Sequence, residues 1–186
     1  MKKWLLVSLL MVVGLITGCG LHFPTGQGQY YRVELTPAEW GFQVDSSGTI
    51  TIVGNSAVVL SAPGAPAAVL QSAEVTYVKG DGQLVFANEP GSSFNIHVSI
   101  PEGIVCPEDT ASCTKETEGW AYGWAKSEAF NFSMEGKVAE EYLRELNNNN
   151  PVLGWNAHVV FHAVTTTGKP ISWEQDIHIV FPLSSG

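Results

Sequence analysis

After Tyr30 the chain alternates apolar and polar residues with a period of two. Phe94, Ile96, Val98 and Ile100 alternate with Asn95, His97 and Ser99, the pattern of a half-buried strand. Thr49–Val53, Ala57–Leu60 and Val69–Val78 are β-branched and apolar, and Gly, Pro and Asn bound them. Lys79-Gly80-Asp81-Gly82 predicts a turn, with Gln83–Ala87 returning as a hairpin partner. A second hairpin is expected from Trp155–Val164 and Ile171–Phe181, joined by a loop over Thr165–Pro170. Helical period occurs once, near 137–147. There Ala139, Tyr142, Leu143 and Leu146 share one side and Glu140, Glu141, Arg144 and Glu145 the other. The asparagine run 147–150 and Pro151 end that helix. Roughly eight to ten strands with a lone helix predict a mainly β, antiparallel two-sheet sandwich spanning 30–186 as one domain. Alternation by itself leaves a closed barrel open.

The first residues follow another rule. Lys2 and Lys3 precede an apolar run from Trp4 to Ile16, too short to span a bilayer and suited to an export signal. The run closes on Leu15-Ile16-Thr17-Gly18-Cys19, which resembles the lipobox of bacterial lipoproteins, with Ile16 in place of the commoner leucine. The resemblance implies that residues 1–18 are cleaved and that Cys19 receives diacylglycerol and a further acyl chain. Two or more chains hold a protein on a membrane where one binds reversibly. Residues 19–29 then read as the lipidated cysteine and a Gly-rich tether of at most about 30 Å. Gly20 is not the aspartate that often retains lipoproteins in an inner membrane, so an outer membrane is favoured where a cell has two.

One of the expected strands carries a second resemblance. Gln71-Ser72-Ala73-Glu74-Val75-Thr76-Tyr77-Val78, followed by Asp81-Gly82, resembles the C-strand region of immunoglobulin and fibronectin type III modules. It implies an immunoglobulin-like sandwich.

Charge narrows the partners. The chain carries 9 Lys+Arg against 18 Asp+Glu, a formal charge of −9, and loss of Lys2 and Lys3 makes the mature chain still more acidic. Such a surface repels phosphate backbones and anionic headgroups, which argues against nucleic acid and leaves lipid as the membrane attachment. With Cys19 taken by lipid, Cys106 and Cys113 remain in an oxidising compartment. A disulfide between them would clip an acidic loop and contribute roughly 2–3 kcal/mol.

Three groups of residues invite chemistry. In the C-terminal hairpin, Trp155, Ala157, Val159 and Phe161 face inward with Trp173, Ile177, Ile179 and Phe181. The opposite face then gathers His158, His162, Glu174, Asp176 and His178. One register sets His158 opposite His178, with β-carbons about 5 Å apart and Asp176 on the diagonal, able to hold zinc, copper or nickel. His158 and His162 stand about 13 Å apart on a strand and cannot share an ion. A register two residues away breaks these pairs but keeps the shared face. Trp120, Tyr122 and Trp124 fall on one side of a strand, where they fill a core or stack on sugar rings. The loop 102–118 holds Glu102, Glu108, Asp109, Glu116 and Glu118 without a regular calcium-ligand spacing.

No Gly-x-Ser-x-Gly, His-Glu-x-x-His or phosphate-cradling loop occurs, and Ser112-x-x-Lys115 sits in an acidic loop with no helix signal. The sequence therefore reads as a non-enzymatic, membrane-anchored envelope lipoprotein with no cofactor, binding an envelope protein or glycan. Its alternatives are carbohydrate binding through Trp120, Tyr122 and Trp124, and metal binding through His158, His178 and Asp176.

Overall fold

A computed structural model describes residues 30–62, 64–103 and 125–182. The expected sites at Cys19, Cys106, Cys113, Trp120, Tyr122 and Trp124 lie outside the described residues.

Among the described residues, two sheets and one helix form the body. The smaller sheet pairs β1 (Tyr31–Thr36) with β4 (Ser56–Ser61), and β4 in turn with β7 (Ala125–Lys126) and β8 (Phe130–Asn131). The larger holds six strands in the order β3 (Ile50–Ile52), β2 (Trp40–Val44), β10 (Pro170–Val180), β9 (Asn156–Thr165), β5 (Ala68–Val78), β6 (Ser92–Ile100). This agrees with the mainly β, two-sheet expectation, and one of the sheets curls like half a barrel. One departure from antiparallel order appears: β10 runs parallel to β2 at Ile179–Trp40 and Val180–Gly41. The chain crosses from the small sheet to the large one between Thr36 and Trp40, which makes that parallel contact possible. Asn55, 2 % exposed, pins the crossing by donating from its amide to the carbonyls of Pro37 and Glu39 at 2.8 and 2.9 Å.

The return strand expected at Gln83–Ala87 does not form; a single bridge, Val78–Leu84, replaces it. Strand β5 takes its ladders from β6 and β9 instead, along nearly its full length. Those partners bury Leu70, Ala73, Val75 and Tyr77 more completely than a two-stranded hairpin could.

The core follows the period-two faces. Alternate residues Ala157, Val159, Phe161 and Ala163 of β9 are buried against Trp40, Phe42 and Phe132. Trp40 joins the layers: its indole N–H donates to the Phe132 carbonyl at 2.8 Å, and its ring meets Phe132 edge-on at 5.0 Å. Helix α1 (Gly136–Leu146) covers the β3 end of the large sheet with Val138, Ala139 and Tyr142. Tyr142 meets Trp155 edge-on at 4.9 Å. Among the described residues no helix is long and apolar enough to cross a membrane.

The body has two poles, separated by the roughly 35 Å length of β5. At one, Tyr30 enters: its carbonyl accepts from Ala62 N–H, and the Tyr31 hydroxyl donates to Pro66. Gly103 and Ala125 stand at the same pole, near Ala65 and Ser61. At the other lie the Lys79–Gly82 turn, α1 and the exposed side chains of Leu84 and Leu153.

Candidate functional site

The histidine face exists, in a different register. Thr165 N–H already donates to the Lys169 carbonyl, so the hairpin tip is the three residues Thr166, Thr167 and Gly168, with Gly168 at φ 82°. This tighter turn moves every partner by two positions. His158 faces Asp176 and His178 faces Asn156, so the expected His158–His178 pair is diagonal. His158 Nδ1 lies 2.8 Å from Asp176 and its Nε2 lies 3.7 Å from Glu174. One strand further, His162 Nε2 lies 3.7 Å from Glu74 on β5. The imidazoles thus alternate with carboxylates across three strands. These pairs are open to water, where ion pairs contribute at most about 1 kcal/mol. Among the described residues, no group of three or more His, Cys, Asp and Glu side chains converges as an ion would require.

A second feature was not anticipated: the two sheets do not close on each other along β1 and β10. Strand β1 pairs with β4 on one side, and the 170–177 part of β10 pairs with β9. Across the gap reaches Gln175, whose carboxamide bonds Val33 twice. Its oxygen accepts from Val33 N–H at 2.9 Å and its nitrogen donates to the Val33 carbonyl at 2.8 Å. Beyond this clip the gap opens into a groove of about 550 Å³ with Glu34, Leu35 and Thr36 on one bank and Asp176, Ile177 and His178 on the other. Gln175 sits at an inward-facing position between the buried Trp173 and Ile177. A polar amide in an otherwise apolar parity was the available signal for the seam.

At the pole away from Tyr30, a smaller cavity of about 150 Å³ lies among Val75, Tyr77, Leu84, Phe86 and Lys137. The Lys137 ammonium stands 4.9 Å over the Phe86 ring and 3.3 Å from Glu89. Burial, aided by the negative charge of Glu135, pushes the Tyr77 hydroxyl above its ordinary pKa, so it stays protonated. Ser92 donates to Glu135 beside it.

Glu145, expected on the outer side of the helix, is instead buried and accepts from Lys79 at 2.5 Å and from Val152 N–H at 3.2 Å. The Lys79 ammonium is the first cause, and the Val152 amide the second, that hold its pKa at about 2 against an ordinary 4.5. A carboxyl depressed on folding adds stability above its unfolded pKa and loses it as pH falls through the folded one. The contribution is therefore complete above about pH 4.5 and gone near pH 2. We expect Glu145→Gln to flatten the fall of melting temperature across that window. An unchanged acid limb in the variant would refute the assignment.

No protein-family model matches the chain, and no curated protein matches it. Among solved structures, a Northeast Structural Genomics Consortium target determined by X-ray crystallography is similar at 10 % identity, covering 84 % of this chain and 92 % of its own, with a TM-score of 0.41. A putative late embryogenesis abundant protein solved in solution is similar at 9 % identity, covering 95 % and 84 %, with a TM-score of 0.33. Likenesses at this level leave function to be read from the chain's own residues.

Proposed function

We propose that this chain is a lipid-anchored, non-catalytic binding protein of the bacterial envelope. Acyl chains at Cys19 hold it, residues 20–29 are its tether, and an immunoglobulin-like sandwich is its binding body. The supporting observation is polarity of layout. The chain enters the body at Tyr30 at one pole, while the exposed Leu84 and Leu153 lie at the other. The β1–β10 groove opens on the flank towards that far pole, beside the His178–Asn156 end of the hairpin. A tether at the Tyr30 pole leaves these surfaces turned away from the lipid. In the same proposal Cys106 and Cys113 form a disulfide in the oxidising compartment that the anchor implies.

Mass spectrometry of the native product tests this reading. We expect a chain beginning at an acylated Cys19 and recovered with membranes, and Cys19→Ser should be released into the soluble fraction. An unmodified thiol at Cys19, or an uncleaved start, would overturn it.

A further inference from the structure

We infer that the seam between β1 and β10 is a docking site for an extended peptide segment of a partner protein, which pairs its backbone with Leu35 and Asp176. This deepens the binding reading by naming the class of partner, and its failure would leave the anchoring test untouched.

Strand geometry supplies the unpaired groups. Along a strand, backbone groups point alternately to one neighbour and the other. The Tyr30 carbonyl accepts from Ala62, so Arg32 and Glu34 also turn to β4 and Tyr31, Val33 and Leu35 turn outward. In β10, Ile179 N–H donates to Trp155, so odd positions serve β9 and the even ones, Glu174 and Asp176, face the seam. Val33 is satisfied by Gln175. The next outward pair, the N–H and carbonyl of Leu35, has no partner among the described residues. Open strand edges of this kind accept added strands.

Gln175 identifies the occupant. Its primary carboxamide satisfies the Val33 N–H and carbonyl, the two groups that an incoming strand would bond through the peptide groups flanking one of its residues. An acyl chain offers no donor or acceptor, whereas a strand repeats this pair at every second residue, in step with Val33 and Leu35. The groove, about 550 Å³, falls within the roughly 300–1,000 Å³ of ligand-holding clefts. Its floor offers Leu35, Ala38 and Ile177; on the banks Glu34 pairs with Arg32 and Asp176 with His158, and Lys126 also lines the groove. A segment alternating apolar and basic residues suits this floor and a chain of net charge −9. A second copy of the chain, itself at −9, does not.

The test uses the mature chain, labelled with nitrogen-15, and the peptide acetyl-Lys-Val-Lys-Val-Lys-amide. We expect its amide signals to shift, and hydrogen exchange to slow, at Leu35 and Asp176. The missing N–H of Leu35→Pro points into the groove, so the β1–β4 ladder should survive while binding weakens about fivefold. A probe N-methylated at alternate residues cannot pair and should fail; this arm decides the matter if Leu35→Pro does not fold. No binding at about 1 mM, shifts centred elsewhere, or equal affinity for the N-methylated probe would overturn the inference. So would sedimentation showing a dimer that Leu35→Pro turns into a monomer.

Discussion

Replacing Trp40 by alanine is expected to lower the stability of the domain by about 3–5 kcal/mol, the range for deleting a fully enclosed large aromatic. Trp40 is 0 % exposed and touches both layers. Its ring lies 6.4 Å from both Tyr77 and Phe94 and 5.0 Å from Phe132. Strands lining this space are anchored by their own ladders, so the walls cannot collapse to fill it. The indole N–H also satisfies the Phe132 carbonyl, in the turn leading from β8 to α1. Trp40→Phe separates the two contributions, since it keeps a ring but leaves that buried carbonyl without its donor, at a cost of about 1–3 kcal/mol. Urea unfolding of the mature chain measures both variants. A loss below about 1 kcal/mol for Trp40→Ala would show that the layers are not joined through this ring.

Gly103→Ala is the second large effect. A β-carbon there would fall inside the Ala62 carbonyl and close on the Ala65 nitrogen, both of them backbone. Gly103 cannot move aside easily, because its N–H donates to Ala65 at 2.8 Å and its carbonyl accepts from Gly64 at 3.2 Å. The connection between β4 and β5 must shift with it, and we expect a loss of about 1–3 kcal/mol and a melting temperature several degrees lower. Gly136, at the start of α1, has nothing within 4 Å of its would-be β-carbon. There the same substitution should be neutral or slightly stabilising, since alanine favours helix more than glycine does. Equal effects at the two positions would refute the close approach at Gly103.

Much of the layout was legible because burial in a sheet follows alternation. The inward faces of β9 and β10, the strands at Ala68–Val78 and Ser92–Ile100, and the helix start near 137 all follow from period. Gln83–Ala87 misled because an apolar run after a turn resembles a returning strand. The ladder went to β6 and β9, partners distant in sequence that local pattern cannot rank. Glu145 misled for a related reason: its helical position is polar by pattern, yet Lys79 and the Val152 amide come from other segments to enclose it. The histidine face was legible as a shared surface, but its partners were not. Alternation fixes which side a residue faces and is unchanged by a slip of two, whereas the pairs depend on how many residues the Thr165–Lys169 tip takes.

By itself, then, the sequence determined a mainly β body, the positions of its long strands and single described helix, and which side chains turn inward along the hairpin. These follow from local periodicity, because each strand must bury one face. Only the tertiary structure decided the parallel contact of β2 with β10, the His158–Asp176 pairing and the open seam that Gln175 bridges. Each of these depends on which distant strand edges meet and where they part, and backbone donors and acceptors are identical in every residue but proline. No side-chain pattern can record their partners, so they become fixed when the chain packs.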